Sequence, residues 1–436
     1  MRTERYHLAD DTGRPVFWLA DTAWNIWCRG TPEEWDHYLA VRKAQGFNVI
    51  QFCTGWWRGC TRPIHGQPYL LENGRLVYDE AAWESLDLLF RKIADAGMIA
   101  APINLWALTE IDPGRVLKES QCIMVARKQV DRWDAPNVVW MLGGDGNYTS
   151  PAAEARWKRI GRSVYGDRPF TVATLHPCGQ TWIGAAFDTE PWYTVAAIQS
   201  GHGSQDDDLR FLVDGAYARA WRRITKPFIN LEPNYEDARS YQVRKHLTAY
   251  HVRRASYWSL LVAPPAGVTY GIGSVWVWAQ TKGEIAENHD RSWIGNPWRD
   301  DLDTAGARSM TVLKAFFERL PWTRLRPAPE RLNTQPGDAD IEAWQTAAAT
   351  PEGDCLVAYA PKGGVIDLDR TGLPKGMSVH SVDPVSGAWT DRGPLGDDPA
   401  QLTLPEGPET DGLIVLIRSS GRRRSPDAGA VAQEES

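Results

Sequence analysis

One alternation restricts the fold of this chain more than any other feature. From residue 14 to about 320, short apolar runs of strand length trade places with longer segments of helical period. The first run, PVFWLA (15–20), precedes TPEEWDHYLAVRKAQG (31–46). There Thr31 and Glu34 form a capping box, Pro32 takes the first helical position and Gly46 stops the helix. NVIQF (48–52) is the next strand. DEAAWESLDLLFRKIADAG (79–97) is the next helix, with Trp83, Leu86, Phe90 and Ile93 on one face. Further strands are expected at 98–104, 137–142, 169–173, 195–199, 226–231 and 255–262, and helices near 115–133, 151–163, 206–223, 237–253 and 304–319. The stretch between His176 and Trp192 shows no clear helix. Eight strands alternating with helices predict an α/β chain closed as a (β/α)8 TIM barrel rather than an open sheet.

The texture changes after PWTRLRPAPERLN (321–333), which reads as a linker. CLVAYAP, GVIDLD, MSVHSVDP, GAWTDRG, AQLTLP and GLIVLIR are short runs parted by Gly, Pro and Asp. They predict a small β-sandwich. SSGRRRSPDAGAVAQEES, from Ser419, cannot build a core. The expected organisation is a barrel over 1–325, a sandwich over 326–418 and a disordered tail over 419–436.

In a barrel, ligands sit at the carboxyl ends of the strands. The residues expected there are Asp21 after the first strand, Trp56 and Trp57 after the second, and Trp106 after the third. Asp145 follows the fourth, His176 the fifth, and Gln199 and His202 the sixth. Glu232 follows the seventh, and Tyr257, Trp258, Tyr270 and Trp276 follow or extend the eighth. The fourth strand runs into NVVWMLGGDGNY (137–148), where two glycines let the backbone turn closely before the acid. Asp145 and Glu232 are the two acids that stand out. Two facing carboxylates in different environments are what glycosidic cleavage requires, one to protonate the leaving oxygen and one to attack or to activate water.

Composition sharpens this. The chain carries 22 tryptophans, whose apolar faces suit sugar rings and whose N–H groups suit hydroxyls. A net charge of −7 argues against a nucleic-acid partner. No apolar stretch is long enough for a membrane span, and MRTERYHLADDTGRP lacks the core of a signal peptide, so a cytoplasmic location is expected. Six scattered cysteines without a C-x-x-C pair read as reduced core thiols. No metal and no cofactor are expected, and the expected partner is a small carbohydrate substrate.

FWLADTAW, NVVWMLGGD, IQSGHG, KPFINLEPNYE and VTYGIGSVWVW occur in that order, and with them the chain resembles the apiosidase-like clan A glycoside hydrolases. HSVDPVSGAW resembles the β-sandwich often appended to that family and labelled a collagen-binding domain. Nothing in this chain is specific to collagen. The resemblance spans about residues 3–418 and implies a retaining glycosidase, in which Asp145 is the acid/base and Glu232 the nucleophile. It also implies that Asp21, Trp24, His202 and Trp276 shape the sugar pocket. One departure stands out: Ile272 occupies the place after TYG where the family usually has His. A sugar hydroxyl facing Ile272 would lose its partner, so an altered glycone preference is expected. The expected activity is exo-hydrolysis of small glycosides or oligosaccharides, including apiosides or other pentofuranosides. The competing readings are a catalytically silent carbohydrate-binding barrel and a metal-dependent hydrolase, although no H-x-H or H-E-x-x-H pattern supports the latter.

Overall fold

The structure, a computed structural model, describes residues 1–290 and 295–418. The expected tail at 419–436 lies outside the described residues. Eight parallel strands form the centre: β1 (Trp18–Thr22), β2 (Val49–Cys53), β3 (Ile99–Trp106), β4 (Val139–Gly144), β5 (Val172–Thr174), β6 (Ala196–Gln199), β7 (Phe228–Asn230) and β8 (Pro265–Tyr270). Every residue of these strands is buried, as parallel strands covered by helices must be. Their order is β5-β4-β3-β2-β1-β8-β7-β6, with Thr181–Trp182 pairing antiparallel on β6. The sheet therefore curls on itself in a barrel-like way. No ladder joins β5 to β6. A backbone bond from Thr194 N–H to Ala173 O (2.9 Å) and a side-chain bond from Thr174 Oγ1 to Val195 O (2.7 Å) bridge that seam.

Among the described residues, seven helices of nine residues or more pack around the sheet: α1 (Pro32–Ala44), α2 (Glu80–Asp95), α3 (Glu119–Trp133), α4 (Pro151–Tyr165), α5 (Asp206–Asp214), α6 (Ala249–Leu261) and α7 (Ala305–Glu318). The expected capping box is present on α1: the Thr31 side chain accepts from Glu34 N–H, and Thr31 N–H donates to the Glu34 carboxylate. The weak unit between β5 and β6 holds only a single turn, Gly184–Phe187.

The expected eighth strand is a correction. Residues 255–262 fall in α6 and its cap, and the strand is the following segment, PAGVTY. α6 is wedged between β8, α7 and the C-terminal sheet, so Tyr250 to Leu261 are all buried and show no polar stripe to mark a helix. Pro265 opens β8, a strand position that accepts a proline.

The C-terminal segment forms an antiparallel six-stranded sheet: β9 (Arg326–Pro327), β10 (Thr346–Ala349), β11 (Cys355–Ala360), β12 (Met377–Val382), β13 (Trp389–Pro394) and β14 (Gly412–Arg418), in the order β9-β10-β11-β14-β12-β13. One face rests on α6 and α7, where Tyr257 stacks on Tyr359 and Phe316 on Trp389 at centroid distances of 5.0 and 5.7 Å. A buried Arg253–Asp411 pair fastens the joint (3.0 Å). The other face covers a smaller core, including Leu356, Ile366, Leu404 and Leu416. Where a full second sheet was expected there is a two-stranded ribbon, Gly364–Val365 with Thr403–Leu404, and short helical turns.

Candidate active site

The carboxyl ends of the strands enclose a cavity of about 440 Å3 with Asp145 and Glu232 on its wall. Asp145 directly follows β4 with φ 53°, a left-handed conformation that Asp tolerates better than most residues. The two glycines before it are there for space. A Cβ on Gly143 would stand 2.4 Å from the Tyr148 hydroxyl, and one on Gly144 would stand 2.6 Å from the Trp106 ring. Bare backbone lets the aromatic wall close over the end of the strand while the acid turns into the cavity.

The neighbouring strand ends set the partners. His176 N–H donates to Gly143 O (2.9 Å), which fixes the imidazole beside β4. Gly201 N–H donates to Glu232 O (2.9 Å), which brings the loop after β6 against Glu232. Gln199 Nε2 donates to Glu232 Oε1 (2.7 Å). His202 Nε2 lies 3.0 Å from Glu232 Oε1, and its Nδ1 accepts from Tyr235 N–H (3.3 Å). That acceptance assigns the ring proton to Nε2, so the neutral imidazole donates to the carboxylate. His176 lies fully buried between the acids, Nδ1 3.7 Å from Asp145 Oδ1 and Nε2 3.4 Å from Glu232 Oε2, with neither nitrogen hydrogen-bonded. One oxygen of Asp145, one of Glu232 and one His176 nitrogen lie within 4.8 Å of one another.

The two acids are pushed in opposite directions. Burial raises Asp145 well above the usual carboxylate range, the Glu232 charge raises it further, and Arg58 opposes both. Burial also pushes Glu232 up. The hydrogen bond that His202 donates outweighs it and holds Glu232 low. Burial keeps His176 below its ordinary value and neutral. One carboxyl kept protonated beside one kept ionised can deliver a proton and a nucleophile to the same bond. Asp145, His176 and Glu232 are also the group among the described residues spaced to hold a metal ion.

Of the residues singled out from sequence, Trp24, Trp106, Gln199, His202 and Trp276 line the cavity with the two acids. His176 lies behind them, with Trp24 edge-on to its ring. Besides His176, Asp21, Trp56 and Tyr270 do not line it. Asp21 points outward to α1, where its carboxylate accepts from Tyr38 (2.5 Å) and Arg42 (2.6 Å), all three fully buried. Trp56 faces away and donates to Tyr69 O; Trp57 takes its place on the wall, because alternate residues of an extended segment face opposite ways. Tyr270 lies below the cavity, bonded to Glu236 and Thr304. Ile272 is fully buried in the wall and does not line the cavity, so the expected unpaired sugar hydroxyl has no basis there. Arg58, Tyr235, Tyr241 and His289 line it unforeseen. His289 comes from the long connection after β8, where no sequence period marks it. Burial and then Arg58 depress it to about 4.

Three comparisons bear on this arrangement. No curated protein is significantly similar in sequence. A solved structure described as a glycoside hydrolase superposes with a TM-score of 0.79 at 22% identity, covering 97% of this chain and 98% of its own. A glycoside hydrolase family 5 protein from Bacteroides vulgatus ATCC 8482 gives 0.80 at 20% identity, covering 98% and 95%. An exo-β-1,4-mannosidase, Op5Man5, from Opitutaceae bacterium strain TAV5 gives 0.50 at 14% identity, covering 73% and 63%. These likenesses establish the fold, which is that of glycoside hydrolases. The sequence profile of the family described as "Apiosidase-like, catalytic domain" matches residues 2–324, well over half of the chain, and the protein therefore belongs to the apiosidase-like family.

Proposed function

We propose that the protein is a retaining exo-glycoside hydrolase acting on small glycosides or oligosaccharides, with Asp145 as acid/base and Glu232 as nucleophile. The observation that carries this reading is a single one. Two carboxyl groups meet within 4.8 Å in one cavity, one pushed up and one held down. Retaining enzymes keep the pair about 5–5.5 Å apart, whereas inverting enzymes leave about 6.5–9.5 Å for a water. Asp145 gives its proton to the glycosidic oxygen. Glu232 Oε2, the oxygen without a hydrogen-bond donor, attacks the anomeric carbon. Asp145, now ionised, then takes a proton from the water that releases the sugar. Trp24, Trp106 and Trp276 offer apolar faces to the ring, and Gln199 and His202 hold the nucleophile ionised.

The cavity's limited volume, within the usual range for small ligands of about 300–1,000 Å3, suits removal of terminal sugars. The exo-acting mannosidase of similar fold is in keeping with this. Membership of the family makes apiosides and other pentofuranosides the first substrates to test. Six free thiols suit a reducing, cytoplasmic setting, and no helix among the described residues is long and apolar enough to cross a membrane. The C-terminal sheet serves stability, through its packing on α6 and α7.

The test is a panel of aryl and natural glycosides with the wild type, Glu232→Ala and Asp145→Asn, with and without azide and EDTA. Turnover abolished in Glu232→Ala and partly restored by azide supports the nucleophile. Asp145→Asn should spare substrates with excellent leaving groups, which need little protonation. Wild-type protein that binds sugars but turns over none of the panel would favour the silent barrel. Activity lost to EDTA would favour a metal at the Asp145–His176–Glu232 group.

A further inference from the structure

His289 enters the cavity wall from the long connection after β8, outside the groups assigned to the reaction. It closes a tight turn. His289 N–H donates to Ala286 O (3.2 Å), and Asn288, the third residue of the turn, is left-handed at φ 53°, which asparagine accepts more readily than most residues. The turn is fastened to the loop after β2. The Glu287 carboxylate accepts from Thr61 N–H (2.7 Å) and from the Thr61 hydroxyl (2.5 Å), and Asn288 Nδ2 donates to Arg58 O (2.9 Å). The imidazole lies against Trp276 at 5.0 Å and Trp57 at 5.7 Å between centroids, and Trp57 packs in turn on Trp106 at 4.4 Å. His289 thus belongs to the wall of indoles on which a sugar ring can rest.

The place of the ring proton follows from its partner. Nδ1 lies 2.6 Å from Glu287 O, and a carbonyl oxygen only accepts, so Nδ1 carries the hydrogen. The neutral ring then keeps a lone pair on Nε2. Among the described residues no group donates to that nitrogen, and the ring is half-buried with the cavity beside it. The other two imidazoles of the site are used differently. His202 Nε2 is spent on Glu232, and His176 is sealed behind the acids. The indoles and the Arg58 guanidinium around His289 can only donate. Nε2 is the neutral acceptor of this stretch of wall, held in place by the turn, by Glu287 O and by two tryptophans.

We propose that His289 is a specificity-determining residue: its Nε2 accepts a hydrogen bond from one hydroxyl of the terminal sugar lying on the Trp57–Trp276 wall, and the enzyme takes sugars that leave this hydroxyl free. On the reading of the chain as an exo-glycoside hydrolase, on which this assignment rests, the terminal sugar is the part that fills the cavity. A sugar without the hydroxyl gives Nε2 nothing to accept from. A sugar methylated or acylated there sets an acceptor and extra bulk against another acceptor. Either change loses one hydrogen bond in a largely enclosed place, worth roughly 5- to 100-fold in kcat/KM.

The experiment uses the full chain and the aryl glycoside of the panel that binds best, together with its monodeoxy and mono-O-methyl forms, each changed at one hydroxyl of the sugar. Wild type should lose roughly 5- to 100-fold in kcat/KM at one of these positions. His289→Phe should lose as much on the parent glycoside and no longer distinguish it from that one deoxy form, while the other deoxy forms fall alike in both proteins. His289→Gln, whose amide oxygen accepts in its place, should recover part of the selectivity. Calorimetric titration of Glu232→Ala, with and without His289→Phe, makes the same comparison from affinity alone. Selective binding that changes with His289 in a chain that turns over nothing keeps the assignment and sinks the exo-glycosidase reading; turnover with selectivity unmoved does the reverse. Glycosides that do not bind, a wild type indifferent to every deoxy position, or a loss confined to changes in the leaving group of a natural disaccharide would overturn the proposal. If His289→Phe does not fold, the wild-type deoxy series and His289→Gln decide it.

Discussion

Gly144→Ala probes the aromatic wall without altering a reacting group. The added methyl would stand 2.6 Å from Trp106 Cε3 and 2.7 Å from Ile103 Cδ1, where ordinary contact begins near 3.4 Å, so the indole must withdraw by about 0.8 Å or the end of β4 must move. Neither is easy. Trp106 is buried and packed against Trp57 at 4.4 Å and Trp24 at 5.2 Å between centroids, and Gly144 O accepts from Ala107 N–H at 2.8 Å. Overpacking of this kind costs about 1–3 kcal/mol. A shift approaching 1 Å in groups that position a substrate can cost on the order of 100-fold in rate. The variant should melt a few degrees lower and lose roughly 10- to 100-fold in kcat/KM on the best substrate of the panel. Differential scanning calorimetry and initial rates decide it. A variant equal to wild type in both would refute the placement of Trp106 against the end of β4.

Three more predictions follow from the pairings. Activity should be bell-shaped in pH: it rises as Glu232 ionises below the usual carboxylate range and falls as Asp145 ionises above it. On an activated substrate the alkaline limb should vanish in Asp145→Asn, and a limb that stays put assigns it elsewhere. The raised Asp145 pKa also sets a stability trend. In its protonated form, below the unfolded value near 3.8, the group costs little, and stability is lost as pH climbs through the raised folded value. Asp145→Asn should therefore melt above wild type near neutral pH and match it in acid, while Asp145→Ala should melt below Asp145→Asn, because alanine at φ 53° costs about 1–2 kcal/mol; no difference between the two variants would count against the left-handed backbone. Asp21→Asn should strand Arg42 in the core at a cost of about 3–5 kcal/mol with KM unchanged; urea unfolding and kinetics check this, and a changed KM in folded protein would return Asp21 to the pocket.

The β/α alternation is legible in the sequence where burial is one-sided. Helix α1 announces itself through Thr31, Pro32 and Glu34, and α2 through Trp83, Leu86, Phe90 and Ile93. It fails at α6, where burial on all sides erases the period and leaves SYWSLL looking like a strand. The site is legible to the extent that strand ends can be found. Asp145 follows β4 directly, Glu232 stands two residues beyond β7, Gln199 ends β6 and His202 lies in the loop after it. Which way a side chain points is harder. Asp21 and Tyr270 sit at the right ends but turn to Arg42 and Glu236, counterparts that only the packing of α1 and the loop after β7 brings near. Trp57 and Trp56 differ by one position and hence by one face. His289 arrives on a connection without period, and nothing short of the fold could place it.

The charge of Glu232 is one reason Asp145 stays protonated. On the proposed reading, that charge disappears when Glu232 becomes an ester of the sugar. Asp145 then feels only burial and the smaller push of Asp112, set against the steady pull of Arg58, and its proton affinity drops just as its proton has gone to the leaving group. The same carboxyl is thereby retuned from donor to acceptor halfway through each turnover with no part of the protein having to move. When the ester is cut, the returning charge resets it for the next substrate.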